Sequence, residues 1–104
     1  MKETKLIQVF KKLIDEDLQG SPYFWYKIPD TKGLGGMRPC DVILICNSKV
    51  FCLEFKVRNN QPTDWQSFFL AKMRSAGAYA CVIRDNDYLI ALDKIINIIE
   101  EKKK

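Results

Sequence analysis

The chain has 104 residues, is 47% hydrophobic and 29% charged, and carries a formal net charge of +4. These values predict one soluble domain spanning residues 1–104, with enough apolar residues for a hydrophobic core. The sequence contains no histidine, which excludes histidine-based catalysis and most zinc sites. It also shows no apolar run long enough to cross a bilayer and no signal-peptide pattern, so we expect a cytoplasmic protein without a membrane partner.

The first part of the chain predicts a helix, a strand and a loop. Apolar residues at helical spacing favour a helix over residues 3–18, and an aromatic run favours a strand over residues 23–28. The loop over residues 29–39 has three glycines but lacks the Gly-Lys-Ser/Thr ending of a phosphate-binding P-loop, which excludes a nucleotide site of that kind. This loop either lets a nucleic-acid backbone approach closely or is a simple connection, and the sequence leaves both interpretations open.

Residues 40–46 and 50–57 predict a β-hairpin with a two-residue turn. If the register set by this turn continues, Asp41 lies directly opposite Glu54, with Cβ atoms about 4.5–5.5 Å apart. Two bare carboxylates so close would repel each other, so this arrangement predicts a divalent cation between them. A register slip of one residue would instead place the two side chains on opposite faces of the sheet.

The second strand of this hairpin has two different faces. Side chains alternate along a strand, so Glu54 and Lys56 point to the same face. Phe51, Leu53 and Phe55 point to the other face, which we expect to pack on a core. Charges are rare in central strands because their burial is costly unless they are paired or hold an ion. Glu54 and Lys56 are therefore candidate functional residues.

A second helix is predicted after the hairpin. Thr63 and Gln66 have the spacing of a capping box, which predicts a helix from this point to about residue 76, before Gly77. The inward stripe that we predict for this helix, with Lys72 at its edge, consists of Trp65, Phe68, Phe69 and Met73.

The last third of the chain predicts two strands and a helix. Residues 78–84 favour a buried strand, residues 88–92 favour a short fifth strand, and Asp93 is predicted to cap the final helix. The four cysteines lie in apolar strand-like runs without a C-x-x-C pair, so we interpret them as buried thiols rather than metal ligands or disulfides.

Several short stretches follow one another in a recognisable order. The run Gly-Gly-Met-Arg-Pro-Cys-Asp ends at Asp41, and the run Phe-Cys-Leu-Glu-Phe-Lys ends at Lys56. Trp65-Gln66 and a helix–glycine–strand pattern over residues 76–82 come next. In this order the chain resembles the PD-(D/E)xK nuclease superfamily, most closely its stand-alone VRR-NUC nucleases and Holliday-junction-resolvase-like proteins. The resemblance covers most of residues 35–82.

The resemblance implies an α/β (α+β) fold with a restriction-endonuclease-like core. Such a core has a mixed central β-sheet flanked by helices, here in the order α-β-β-β-α-β(-β)-α. The resemblance also implies a Mg²⁺- or Mn²⁺-dependent endodeoxyribonuclease that acts on branched DNA such as four-way junctions. Symmetric cleavage of two strands calls for a homodimer, and the stand-alone form of the domain suggests a phage source.

The resemblance assigns roles to individual residues of the hairpin. Asp41, Glu54 and the main-chain carbonyl of Phe55 would hold the metal ion through hard oxygen ligands. Lys56 would orient or activate the attacking water, or stabilise charge on the phosphate.

Two further catalytic candidates have alternative explanations. Glu3 matches the helical acid that these families place near the metal, but a first-turn acid also complements the helix dipole. Gln66 matches the glutamine on the helix after the ExK motif, but its place in the capping box explains it equally well. Four basic residues are candidate contacts to DNA phosphates on charge and position alone: Lys32, Arg38, Arg58 and Lys72.

The chain departs from the family pattern at one point. The usual proline before the aspartate is Cys40 here, with Pro39 one place earlier, and a literal Pro-Asp occurs at Pro29-Asp30. We prefer Asp41 because it lies in the hairpin opposite Glu54. One rival interpretation is a non-catalytic domain in which Lys56 and the acids form an ion-pair network. Two others are a DNA-binding module on the same fold without turnover, and a nuclease subunit that is active only with a partner.

Overall fold

Residues 1–29 and 38–101 are described by the computed structural model, so Asp30 and Lys32 lie outside the described residues. None of the helices in these two ranges combines the length and apolar character needed to cross a membrane. The elements, in chain order, are α1 (Glu3–Asp17), β1 (Tyr23–Lys27), β2 (Val42–Cys46), β3 (Lys49–Lys56), α2 (Asp64–Ser75), β4 (Tyr79–Arg84) and α3 (Tyr88–Ile99).

The four strands form one mixed sheet in the order β1-β2-β3-β4. The pairs β1–β2 and β2–β3 are antiparallel, whereas β4 runs parallel to β3. A parallel pair needs a crossover connection, and α2 supplies it between β3 and β4. The predicted α+β class and mixed sheet are therefore confirmed.

The hairpin of β2 and β3 has the predicted turn and register. Asn47 and Ser48 both have positive φ, 53° and 64°, as a two-residue turn with the right-handed twist of the strands requires. The ladder pairs Cys46 with Lys49 and continues in register to Val42 and Leu53.

One face of the sheet packs on the main core. Phe51, Leu53 and Phe55 on β3 are fully buried, as strand alternation predicts, and pack with apolar residues of α1 and α3. The ring of Phe10 on α1 meets Phe55 edge-on, with ring centroids 5.5 Å apart. This packing fixes β3, the strand that also carries Glu54 and Lys56.

The opposite face packs on α2 through a smaller cluster. Cys40, Cys52 and Leu70 form the buried centre of this second cluster, and Phe69 and Met73 of α2 pack against it. The predicted inward positions of Trp65 and Phe68 are wrong, because both side chains are exposed. The apolar residues of α2 spread over a wider arc than this small cluster covers.

The predicted fifth strand does not exist, because residues 88–92 form the first turns of α3. Leu92, Ile95 and Ile99 are buried at i, i+3 and i+7, which is helical spacing. Asp93 consequently lies inside the helix instead of capping it, and Asp87 occupies the N-cap position. A five-residue apolar run does not distinguish a strand from part of a helix, and here the helical stripe continues through it.

The capping box of α2 yields a stability prediction. Gln66 N–H donates to the Thr63 hydroxyl at 3.1 Å, and Thr63 N–H donates to the Gln66 side-chain oxygen at 3.0 Å. Thr63→Ala removes the hydroxyl, and we expect the free energy of unfolding in urea to fall by about 1 kcal/mol. Thr63→Ser keeps it and should retain most of the stability. An alanine variant as stable as wild type would contradict this role.

Candidate active site

β2 and β3 separate at Asp41, where the regular ladder ends. Asp41 N–H donates to the Leu53 carbonyl at 3.0 Å, although Leu53 is already paired with Val42. Two successive residues therefore face one residue of the partner strand, as in a β-bulge. The predicted direct opposition of Asp41 and Glu54 is wrong at this residue. Beyond this point the Asp41 carboxylate accepts the Phe55 N–H at 2.7 Å, a bond that a main-chain carbonyl would accept in a regular antiparallel ladder.

The Asp41 carboxylate is buried and paired. Its side chain is 3% exposed, and its second oxygen accepts from the guanidinium of Arg38 at 2.5 Å. Arg38 also donates to the Ile28 carbonyl at 3.2 Å. Arg38 is therefore the counter-ion of Asp41, and its predicted contact to a DNA phosphate stays a prediction. A buried carboxylate needs such partners, because an unpaired charge away from water is costly.

The Glu54 carboxylate is buried and only half satisfied. One oxygen lies 3.3 Å from the ammonium of Lys56, which confirms that the two side chains share a face. The other oxygen, Oε1, is buried and has no hydrogen-bond partner among the residues that the structure describes. Native proteins leave few buried polar atoms unpaired, so such an atom marks a candidate ligand site.

The environment of Glu54 favours its protonated form. Its pKa is raised to about 7, chiefly by burial and secondly by the negative charge of Asp41. The positive charges of Lys56 and Arg38 oppose this rise but do not cancel it. The negative charge of Asp41 therefore acts on Glu54 in the same direction as burial. An added cation would remove much of the penalty on the ionised form.

Glu3 lines the same cavity as Asp41. A cavity of about 280 Å³ is lined by both Glu3 and Asp41, together with Thr4, Lys27 and Arg38. The first turn of α1 therefore opens onto the Asp41 side of the site. Glu3 occupies the first position of α1, so it also complements the helix dipole.

The other predicted residues are placed as follows. Gln66 engages Thr63 in the complete capping box, so its capping role is confirmed and its catalytic role stays a prediction. Lys72 is exposed on α2. Arg58 is exposed just after β3, where its N–H donates to Asp85 at 3.2 Å. Lys32 lies outside the described residues.

Oxygen ligands suit Mg²⁺ or Mn²⁺. Within residues 1–29 and 38–101, no three His, Cys, Asp or Glu side chains lie close enough together to hold an ion, so this part of the chain offers at most two such side chains to one ion. Mg²⁺ is commonly held by one or two carboxylates, with water and substrate phosphates completing its shell. The unpartnered Oε1 of Glu54 provides a free hard oxygen. The residues therefore fit a divalent cation.

Sequence reasoning missed the Arg38–Asp41 ion pair and the bond from Phe55 N–H to Asp41. The only signal for the ion pair was a base three residues before the acid, a spacing that has no fixed meaning in a loop. Comparison with family models, with curated proteins and with solved structures found no match.

The raised pKa of Glu54 predicts a pH dependence of stability. The folded state binds this proton more tightly than the unfolded state, whose carboxyl has a pKa near 4.5. Stability contributed by this group is therefore complete below pH 4.5 and is lost as the pH rises through about 7. Glu54→Gln abolishes the titration. Without metal, its stability relative to wild type should increase by up to about 3 kcal/mol between about pH 4.5 and 8.

The measurement is urea denaturation in EDTA across this pH range. Glu16→Gln on the exposed side of α1 is the matched control, and it should follow the wild-type profile. Parallel profiles for wild type and Glu54→Gln would show that Glu54 titrates alike in the folded and unfolded states.

Proposed function

We propose that the protein is a metal-dependent endonuclease that hydrolyses DNA phosphodiester bonds. The observation that carries this proposal is the buried Glu54 carboxylate, whose Oε1 has no partner in the described part of the chain while Lys56 and Asp41 flank it. Such an arrangement costs stability, and a cation-dependent reaction provides a reason for it. The resemblance to PD-(D/E)xK nucleases supports the same conclusion.

Asp41, Glu54 and the carbonyl of Phe55 would hold Mg²⁺ or Mn²⁺. When bound, such an ion polarises the phosphodiester and lowers the pKa of water. The main core and the second cluster hold β3 between them, so Glu54 is positioned before substrate arrives. Asp41 is positioned by its bond to Phe55 N–H. Preorganised charges of this kind need little rearrangement during the reaction.

Lys56 would act on the water or on the phosphate. Its ammonium is mostly buried and lies on one oxygen of Glu54, so its position is fixed by the strand and by the ion pair. From there it can donate hydrogen bonds to a non-bridging phosphate oxygen as negative charge builds up. Glu3, which lines a cavity together with Asp41, would help to position water.

We propose branched DNA, such as a four-way junction, as the substrate. The net charge of +4 favours a polyanion, and a chain of 104 residues has little surface for reading base sequence. Phosphate contacts and DNA shape would then dominate binding. Arg58 and Lys72 are the exposed basic candidates for these contacts, and symmetric cleavage would require a homodimer.

A non-catalytic DNA-binding domain is the second candidate. The pairing of each acid with its own base, Asp41 with Arg38 and Glu54 with Lys56, favours it. A closed ion-pair network, however, would leave no carboxylate oxygen unpartnered and would not raise the pKa of Glu54. These two features favour the nuclease.

Metal binding should stabilise the folded protein through Glu54. At about pH 8, a concentration of Mn²⁺ about a hundred times its Kd stabilises the folded state by about 2.7 kcal/mol. For a domain of this size that corresponds to a rise in Tm on the order of 10 °C. Glu54→Gln and Asp41→Asn should lose most of this rise in a thermal melt, whereas Glu16→Gln should keep it. If Mn²⁺ raised the Tm of Glu54→Gln as much as that of wild type, the ion would bind at a site that does not include Glu54.

Cleavage should depend on Glu54 and Lys56. With Mg²⁺ or Mn²⁺ and labelled linear, flapped, nicked and four-way DNA, we expect cleavage of the branched substrates. Glu54→Gln and Lys56→Met should each slow it at least about a hundredfold, because general-base and electrostatic contributions are of this size. Lys49→Met, on the same strand but outside the site, is the matched control. Cleavage retained by Glu54→Gln would contradict the mechanism, and metal binding without cleavage would favour the second candidate.

A further inference from the structure

Three large apolar side chains on β1 and β2 are exposed. Phe24 and Tyr26 on β1 are 54% and 47% exposed, and Ile45, the β2 partner of Phe24, is 37% exposed. We call these three residues the aromatic face. They lie beside Ile43, which pairs with Tyr26 and packs against the second cluster under α2. The aromatic face therefore belongs to the same side of the sheet as Glu54 and Lys56, at the edge that α2 leaves open.

The two aromatic rings are nearly parallel. The ring planes of Phe24 and Tyr26 differ by 13°, and their centroids are 6.1 Å apart. Exposed parallel rings on a sheet provide flat surfaces on which successive nucleobases can stack, and this stacking accepts any base because every base has a π-face. Rings serving only a hydrophobic core would be covered, as Trp25 on the opposite side of β1 is in part.

The strand that carries these rings leads to the candidate active site. Ile28, two residues beyond Tyr26, donates its N–H to the Asp41 carbonyl at 2.9 Å. At the rise of a strand, Tyr26 and Phe24 lie about 7 and 13 Å along β1 from the level of Asp41. If one phosphate of a DNA strand is bound at the site, bases only a few nucleotides away in the same strand can reach these two rings.

The charges on this side of the sheet suit a polyanion. α2 carries Lys72 and Arg74 against a single acid, Asp64, and Lys56 lies on β3 of the same face. A strand running from the rings towards Asp41 would approach Lys56 at the site, whereas Arg74 donates to the Ala80 carbonyl of β4 and lies at the far edge of the sheet. Aromatic platforms combined with basic residues are the usual means of binding single-stranded nucleic acid.

We propose that the aromatic face binds unpaired nucleotides of the DNA substrate by stacking their bases on Phe24 and Tyr26. This inference rests on the proposed function, because it makes the unpaired segment of a flap or junction the part that is recognised next to the cleaved phosphate. A second copy of the chain is a less suitable partner for the aromatic face. Three half-exposed side chains offer on the order of 300 Å², whereas a stable dimer buries about 800 Å² per partner.

The test measures binding without cleavage. Fluorescence anisotropy in EDTA compares a labelled twelve-nucleotide thymidine oligomer with an abasic oligomer of the same length, which has the phosphates but no bases. Wild type should bind the thymidine oligomer more tightly. Phe24→Thr and Tyr26→Thr should each weaken that binding at least about fivefold, which corresponds to the smallest usual contribution of one stacked base. Neither substitution should change the affinity for the abasic oligomer. Tyr26→Phe keeps the ring and should bind normally.

Leu89→Ala is the matched control, because Leu89 on α3 is 59% exposed and apolar but lies away from β1. Equal affinity of wild type for both oligomers, or unchanged binding after loss of the rings, would overturn the inference. The inference would also be overturned if sedimentation showed a dimer that Phe24→Thr dissociates while wild type bound both oligomers equally.

The same experiments distinguish this inference from the proposed function. If the oligomer binds through the rings but no metal supports cleavage, only the nuclease proposal is refuted. Cleavage of branched DNA that does not need the rings would refute only the stacking.

Discussion

Two buried carboxylates at the point where β2 and β3 separate impose the main energetic constraint on this protein. Asp41 meets that constraint with the guanidinium of Arg38 and the N–H of Phe55. Glu54 has a partner, Lys56, on one oxygen only, and burial together with the charge of Asp41 raises its pKa to about 7. Burial of an incompletely paired charge reduces stability, so its presence points to a ligand that completes the pairing.

The fold maintains this costly arrangement by packing on both sides of β3. Phe55 is held by Phe10 and the main core, and Cys52, on the opposite face of the same strand, is held by the second cluster under α2. The short segment between these two anchors has little freedom to turn Glu54 towards water. The same packing leaves the β1 edge of the sheet open, which brings an exposed aromatic surface close to the acids.

Local signals in the sequence predicted most of this geometry. The turn at Asn47 and Ser48 and strand alternation were enough to pair the hairpin and to place Glu54 beside Lys56. The offset at Asp41 was not predictable, because it depends on a side chain competing with the backbone for one N–H. The apolar run over residues 88–92 was too short to distinguish a strand from part of a helix. Trp65 and Phe68 were misplaced because helical periodicity gives the width of an apolar arc but not how much of it a sheet will cover.

The most direct test of the account is an NMR titration of the Glu54 side-chain carboxyl, using selectively ¹³C-labelled protein and the Glu54→Gln variant for assignment. The account predicts a pKa of about 7 without metal and a fall of this pKa when Mg²⁺ is added, because the cation stabilises the ionised form. A carboxyl that titrates at its ordinary value near 4.5, or one whose pKa is unchanged by Mg²⁺, would contradict it.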